Sequence, residues 1–222
     1  MTERREFLRQ ASLLAAGSFA ASSLSAQGTT AAQPTATTYD MSWVDRVTGK
    51  YRMVFDAPEV AEGTSLHQVR SFLAGYAAVY GLADEDLSAV LVVRHAAMPM
   101  VLGDALWADG AFGEASKIKT PGSADEHAKL NPFIKVSAER RFGLTWPDGA
   151  LDTLMSRGVI VLVCDLALSN VAGQIARRRS IPRPEAAALI TEHLLPGVYR
   201  MPTGVFATCR AQAAGCGFLQ AL

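Results

Sequence analysis

Cysteine, histidine and arginine residues stand where the sequence predicts that strands end, and they offer the most chemistry in this chain. Cys164 closes the apolar run 159–163, and Arg94 and His95 close the apolar run 87–93. A helix is predicted to begin after Cys164, and the partial positive charge at a helix N-terminus stabilises a thiolate. We therefore predict Cys164 as a candidate nucleophilic thiol, with His95 and Arg94 as candidate stabilisers of its charge.

Cys164 also has a second interpretation, as a small residue of the hydrophobic core. Free cysteine is among the most often buried residue types, and the residues just before Cys164 are all aliphatic. His95, in the same way, can serve only to cap a turn. Whether the Cys164 thiol opens into a pocket with His95 nearby decides between the two interpretations.

Three further residues lie at the same predicted edge of the sheet. Asp165 follows Cys164, while Met201 and Thr203 stand where the next strand ends. Ligands of open parallel sheets bind beyond the C-terminal ends of the strands. We predict Asp165, Met201 and Thr203 as binding residues of this site.

The remaining thiols and the histidines predict no metal and no cofactor. Cys209 and Cys216 would lie ~10 Å apart on a continuous helix, beyond the reach of a disulfide unless Gly215 bends the chain. A pairing of Cys164 with Cys209 stays open. The histidines have no recognisable spacing for metal ligands, and no glycine-rich phosphate motif follows a strand.

Strand and helix patterns alternate along the chain, which predicts an α/β fold. The fold class is a three-layer α/β/α arrangement with a central, mostly parallel sheet of about five strands. A polar stretch at 117–131 interrupts the alternation and is predicted as a surface insertion. Strands are predicted at 51–56, 87–93, 159–164 and 197–201, with a last apolar run at 216–219. Helices are predicted at 64–80 with a stop at Gly81, 148–158, 166–177, 183–194 and 203–214.

The first residues have the pattern of an export signal. Arg4 and Arg5, followed by Phe7, Leu8 and an apolar run, resemble the twin-arginine signal of bacteria. We predict a signal peptide at 1–26, a flexible leader at 27–42 and one domain at 43–222. The mature protein is expected in the periplasm, with no membrane span because no second long apolar run occurs.

Composition excludes two broad classes of protein. The 222 residues carry 21 basic and 21 acidic side chains, and this balance argues against a nucleic-acid binder. With 50% hydrophobic residues the chain can bury a core, so wholesale disorder is excluded.

The C-terminal half contains a Gly-Val strand that ends in Cys164, a Leu-Pro-Gly-Val stretch at 195–198, and a last helix that closes with Gln212 and Gly215. In these motifs and their order it resembles the DsrE/DsrF-like sulfur-relay family. Looser matches at 90–97, 101–107 and 131–133 extend it over about residues 50–222. Cys216 departs from the aromatic usual at its position, and the short family members lack the insertion.

The resemblance implies a homo-oligomer and a persulfide-carrying Cys164 that exchanges sulfur with a donor or acceptor protein. The alternative is a non-catalytic oligomer that binds a small ligand or a partner at the strand ends, with Cys164 buried and inert. Rapid alkylation of the native thiol separates these two hypotheses, since a buried thiol reacts only after denaturation.

Overall fold

The structure of the protein is a computed structural model that describes residues 38–137, 140 and 142–221. The predicted signal at 1–26 lies outside these residues, as does most of the leader predicted at 27–42. The described residues from Thr38 onward group into one unit.

A single sheet of five parallel strands forms the centre of that unit. The strands are β1 (Tyr51–Ala57), β2 (Leu87–Val93), β3 (Ile160–Cys164), β4 (Tyr199–Met201) and β5 (Gly217–Gln220). Their order is β4-β3-β2-β1-β5, so β5 lies on the far side of β1 from the others. The register pairs Ala57 with Val93, and Cys164 with Met201. The carboxyl ends of β1 to β4 therefore meet at one edge, as the sequence predicted.

Helices cover both faces of this sheet. They are α1 (Thr64–Tyr80), α2 (Asp104–Trp107), α3 (Ala111–Ala115), α4 (Leu151–Ser156), α5 (Asp165–Arg179), α6 (Arg183–His193) and α7 (Gly204–Ala213). Helix α1 ends at Gly81 as predicted, with φ 66° and its N–H bonded to the Ala77 carbonyl. The helix predicted from Asp148 begins only at Leu151, because Pro147–Gly149 forms a 3₁₀ turn. None of the helices in the described part of the chain has the length and apolar character needed to cross a membrane.

Strand side chains alternate between two hydrophobic clusters. Phe55 and Val163 belong to the larger cluster, under α1, α4 and α5, whereas Val54 and Leu162 belong to the smaller one, with Trp43 and α7. Every residue of β2 and β3 is buried, which explains why their sequences are continuous apolar runs. The three-layer α/β/α class with five strands is confirmed, and the sheet is entirely parallel.

The edge strand β5 differs from the central strands, because all four of its residues are exposed. Phe218 and Leu219 keep 46% and 39% of their surface in contact with solvent. β5 pairs with β1 alone, through a register that matches Val54 with Phe218. Its position therefore depends on the ladder to β1 much more than on burial.

The stretch 117–131, predicted as a surface insertion, folds back on itself and contributes to the core. An antiparallel bridge joins Lys119 to His127, and the Ala128 N–H donates to the Ile118 carbonyl at 2.9 Å. Ile118 and Ala128 are buried. Asn131 is fully buried, and its side-chain amide donates to three backbone carbonyls within 99–102. Most of the stretch is exposed at the surface, and Ile118, Ala128 and Asn131 attach it to the core.

Candidate functional site

A buried ion pair occupies the edge where β1 and β2 end. Arg94 Nε and Nη2 donate to the two carboxylate oxygens of Asp56 at 2.6 and 2.7 Å. The side chains of Arg94 and Asp56 are 18% and 7% exposed. Strand alternation places both on the α7 face, beside Val54 and Val92. A carboxylate this buried requires a charged, hydrogen-bonded partner, and the pair fixes one strand end against the other.

The electrostatics of this pair extend to Cys164. Hydrogen bonding to Asp56 raises the pKa of Arg94, burial opposes the rise, and the charges of Asp56 and Cys164 add to it. Cys164 therefore lies within electrostatic reach of the guanidinium. The hydrogen bonds of that guanidinium, however, go to the carboxylate.

Gly204 lets α7 approach the stem of Arg94. A Cβ at this position would lie 2.6 Å from Arg94 Cδ and 2.8 Å from Arg94 Cβ, closer than side chains pack. Thr203 caps the helix, since its Oγ1 accepts the Phe206 N–H at 3.0 Å. The absent side chain of Gly204 thus allows the first turn of α7 to cover the ion pair.

Cys164 ends β3 and is the N-cap of α5. Its Sγ accepts the Ala167 N–H at 3.4 Å, and the residue is only 4% exposed. Across the sheet it pairs with Met201, which is fully buried. The geometry thus combines a helix N-terminus, which favours a thiolate, with the burial expected of a core residue.

The other two cysteines lie in unlike surroundings. Cys209 is exposed and Cys216 is buried, and both are free thiols, as is Cys164. Burial raises the pKa of Cys216, and the nearby Arg52 partly opposes that rise. Cys209 is therefore the most solvent-exposed of the three thiols.

His95 lies on the opposite face of the sheet from Arg94, where it lines a cleft beside α5. The cleft has a volume of about 730 Å³, within the range of small-molecule sites. Cys164 does not contribute to its lining, so His95 and the thiol do not share it. The cleft is lined by Glu59, Val60, Ala61, Glu62, His95, Ala96, Pro99, Phe112, Ala115, Ser116, Lys117, Ile118, Lys119, Phe142, Leu144, Val171 and Gln174.

Strained backbone is concentrated around this cleft. Six non-glycine residues in the described ranges have a left-handed backbone, and four of them line the cleft. Their φ values are 40° at Ala61, 54° at Glu62, 47° at His95 and 57° at Lys117. Such conformations cost on the order of 1–3 kcal/mol each and cluster at functional sites.

The cleft also brings together charges that do not pair with each other. Glu59 and Glu62 follow β1, while Lys117 and Lys119 belong to the hairpin on another side. None of the ion pairs formed by the described residues includes any of these four. Lys119 donates instead to the Asp125 carbonyl at 3.3 Å.

A second cavity of about 480 Å³ contains two of the residues predicted for binding, Asp165 and Thr203. Arg200 Nε donates to Asp165 Oδ1 at 2.6 Å, so this carboxylate already has a cationic partner. Tyr39 also lines the cavity, and its pKa is raised by burial first and then by the charge and hydrogen bond of Asp165. Met201 does not line this cavity, and Cys164 lines neither of the two.

Sequence reasoning missed Asp56 and the carboxylates at 59 and 62. Asp56 had a detectable signal, because it is the one acidic residue in the strand run 51–57, and a charge inside a buried strand needs a partner. Glu59 and Glu62 had none, since nothing in the sequence links them to a hairpin more than 50 residues away.

Comparisons with known proteins find likeness only among solved structures. No protein-family model and no curated protein matches the chain. Among solved structures, a protein of unknown function, MTH1491 from Methanobacterium thermoautotrophicum, aligns with 16% identity and a TM-score of 0.39. That alignment covers 77% of this chain and 98% of the other. Within the described residues, no group of three or more histidine, cysteine or acidic side chains is placed to hold a metal ion.

Proposed function

We propose that this protein binds a small molecule in the cleft, with Cys164 in a structural role. The cleft lies past the carboxyl ends of β1 and β2, which is where open parallel sheets bind ligands. Its lining mixes apolar side chains with a few charged groups, as ligand sites usually do.

The single observation that carries this proposal is the strained backbone. Four left-handed, non-glycine residues around one cleft cost the fold stability that glycine at the same positions would not. Strain of this kind persists where it holds side chains in a useful geometry. Glu62, His95 and Lys117 are the ionisable members of the set, so the strain holds charged groups at the cleft wall.

Cys164 supports the same proposal by what surrounds it. The thiol caps α5, is buried and faces neither cavity, so a solute in the cleft does not contact it. On the other face of the sheet, the ion pair of Asp56 and Arg94 stabilises the same edge. These residues hold the edge of the sheet in place, and the cleft is the larger of the two cavities described at that edge.

Blocking the cleft tests the proposal. The probe is 8-anilinonaphthalene-1-sulfonate, an amphipathic dye that fluoresces in apolar sites. Ala115→Trp fills the cleft from an exposed position at the end of α3, and Ala188→Trp is the matched control on an exposed face of α6. We expect Ala115→Trp to weaken dye binding at least about tenfold, a loss of about 1.4 kcal/mol. Equal affinity of the two tryptophan variants would overturn the proposal.

A second candidate function is sulfane-sulfur transfer on Cys164, as the family resemblance implies. The observation in its favour is the contact of Sγ with the N-terminus of α5, together with its proximity to Arg94. The thiolate would attack a sulfur of an inorganic polysulfide and break its S–S bond. Cys164 would then carry the persulfide, and a polysulfide one sulfur shorter would leave with the bonding electron pair.

Alkylation tests this second candidate, provided that Cys209 is first removed because it is exposed. In a Cys209→Ser background, sulfur transfer requires that iodoacetamide label Cys164 rapidly below pH 8. It also requires a mass gain of one sulfur on that residue after polysulfide treatment. Labelling only after denaturation would exclude the transfer function and leave ligand binding intact. Cys164→Ser in the same background gives the unlabelled control.

The export and assembly predictions belong with these functions. We propose that the chain is exported to the periplasm by the twin-arginine route and forms a homo-oligomer there, with a sulfur donor or acceptor as partner if Cys164 is reactive. Lysine at both Arg4 and Arg5 is expected to keep a tagged chain in the cytoplasm. Unchanged export of that variant would exclude the twin-arginine route.

A further inference from the structure

The charges lining the cleft indicate what kind of molecule fits it, and this inference rests on the binding function proposed above. Glu59 and Glu62 supply two carboxylates from the segment after β1. Lys117 and Lys119 supply two ammonium groups from the hairpin, so the four charges sum to zero. A ligand of large net charge would be repelled by one pair as strongly as it is attracted by the other.

These opposite charges remain apart although they share one cleft. Glu62 and Lys117 both have a left-handed backbone, at φ 54° and 57°, and they belong to segments anchored separately. The Thr64 hydroxyl donates to the Ala61 carbonyl at 2.7 Å on one side. The Ile118 N–H donates to the Gly113 carbonyl at 2.8 Å on the other.

The backbone is thus anchored on both sides of the cleft. Gly113 packs so closely on the hairpin that a Cβ there would lie 2.5 Å from the Ala128 backbone. Two oppositely charged walls on an anchored backbone suit a ligand that carries both charges.

Apolar side chains make up the remainder of the lining. Val60, Pro99, Phe112, Ile118 and Val171 contribute hydrocarbon surface to the cleft. A volume of 730 Å³ equals that of a cube about 9 Å on a side, which matches the ~10 Å length of three extended amino-acid residues. The ligand body is therefore apolar and short.

We infer that the cleft binds a zwitterion whose ammonium and carboxylate ends are separated by a short apolar body. The ammonium end lies against Glu59 and Glu62, and the carboxylate end lies against Lys117, whose ammonium has no protein partner among the described residues. Lys119 donates to the Asp125 carbonyl at 3.3 Å and adds its charge to the same wall. His95, which follows β2, also lines the cleft.

A tripeptide with free or blocked ends tests this inference. The probe is Ala-Leu-Ala in four forms: both termini free, N-acetylated, C-amidated and doubly blocked. Each form competes with the dye bound in the cleft of the full chain. We expect the free form to displace the dye and each single block to weaken displacement about tenfold, because each removes a charge-assisted contact.

Charge-removing variants assign each end of the peptide to its wall. In Glu62→Gln the cost of N-acetylation should fall below about threefold, and in Lys117→Gln the cost of C-amidation should fall in the same way. Glu192→Gln and Lys129→Gln are the controls, because both residues are exposed and neither lines the cleft. In these controls both costs should remain about tenfold.

The outcomes separate this inference from the proposed function. If the dye does not bind the cleft of the unmodified protein, the binding function itself fails. If the dye binds but no peptide form displaces it, the function stands and the zwitterion inference is wrong. Equal displacement by the free and doubly blocked forms overturns the inference in the same way.

Discussion

The Asp56–Arg94 pair and the cleft lie at the same edge of the sheet. The charges of the pair are bonded to each other, whereas those of the cleft form no ion pairs among the described residues. The ion pair is buried, bidentate and covered by α7, and every charge in it has a partner. The cleft is open to solvent, has a strained backbone and holds four charges without ion-pair partners in the described chain. The paired charges of Asp56 and Arg94 stabilise the fold, whereas the unpaired charges of the cleft are available to a ligand.

Among the variants that test this comparison, loss of the buried Asp56 carboxylate should change the free energy of unfolding the most. Asp56→Ala leaves the guanidinium of Arg94 without its partner and should lower the free energy of unfolding by about 3 kcal/mol. The control is Asp84→Ala, whose pair with Arg157 is about one-third exposed and should cost about 1 kcal/mol or less. Urea titration measures both, and similar losses would mean that the Asp56 pair is not a special support.

The next effect concerns the close approach of α7. Gly204→Ala places a Cβ against an Arg94 stem that Asp56 holds in place, and should cost about 1–3 kcal/mol. Gly75→Ala meets open space on helix α1 and should stabilise by about 0.5–1 kcal/mol. If the clash is the cause, the Gly204→Ala penalty should shrink in an Asp56→Ala, Arg94→Ala background. The contact with the Cβ of residue 94 remains in that background, so a smaller penalty is still expected, and a penalty that does not shrink at all places the strain elsewhere.

Relief of the strain at the cleft is expected to raise stability and weaken binding. Glu62→Gly and Lys117→Gly should each stabilise the fold by about 0.5–1 kcal/mol, because glycine adopts a left-handed backbone without a steric penalty. Ser180→Gly is the matched control, since its φ of 52° lies at the end of α5, away from the cleft. The control should gain stability and keep its dye affinity. Unchanged dye affinity in the two cleft variants would remove the distinction between scaffold and site.

The smallest effect concerns the thiol at the cap of α5. Cys164→Ser keeps an acceptor for the Ala167 N–H, whereas Cys164→Ala removes it, so the alanine variant should be less stable by about 0.5–1 kcal/mol. Thermal unfolding of the two variants measures the difference. Equal stability would mean that the 3.4 Å contact contributes nothing to the cap.

The sequence predicted most of the helices and strands and one member of the buried ion pair, Arg94, but not its partner Asp56. Continuous aliphatic runs predicted β2 and β3 because both faces of those strands are buried, and Gly81 marked the end of α1. The same runs placed Arg94 and Cys164 at strand ends, which is where the structure has them. The local sequence pattern therefore predicts only those residues whose position follows from secondary structure alone.

The cleft could not be predicted in this way, because its walls come from distant parts of the chain. Lys117 faces it only because the hairpin folds back on Ile118 and Ala128, a packing that a polar sequence does not indicate. The left-handed backbone at Glu62 and His95 also has no sequence signal, since glycine is the usual residue there. The pairing of Asp56 with Arg94 could not be predicted either, because it depends on β1 and β2 being neighbours in the sheet.

The return of β5 to the far side of β1 has a consequence for the order of folding. Val54 pairs with Phe218, and this contact closes a loop of 164 residues (218 − 54), the longest separation among the strand pairs. Contacts between distant residues form slowly, because the entropy of closing the loop is lost before the contact forms. Strands β1 to β3 can therefore assemble while the outer edge of β1 is still bare. The pairing of β5 is a late step that closes that edge, and until then the edge is the surface on which a folding chain would aggregate.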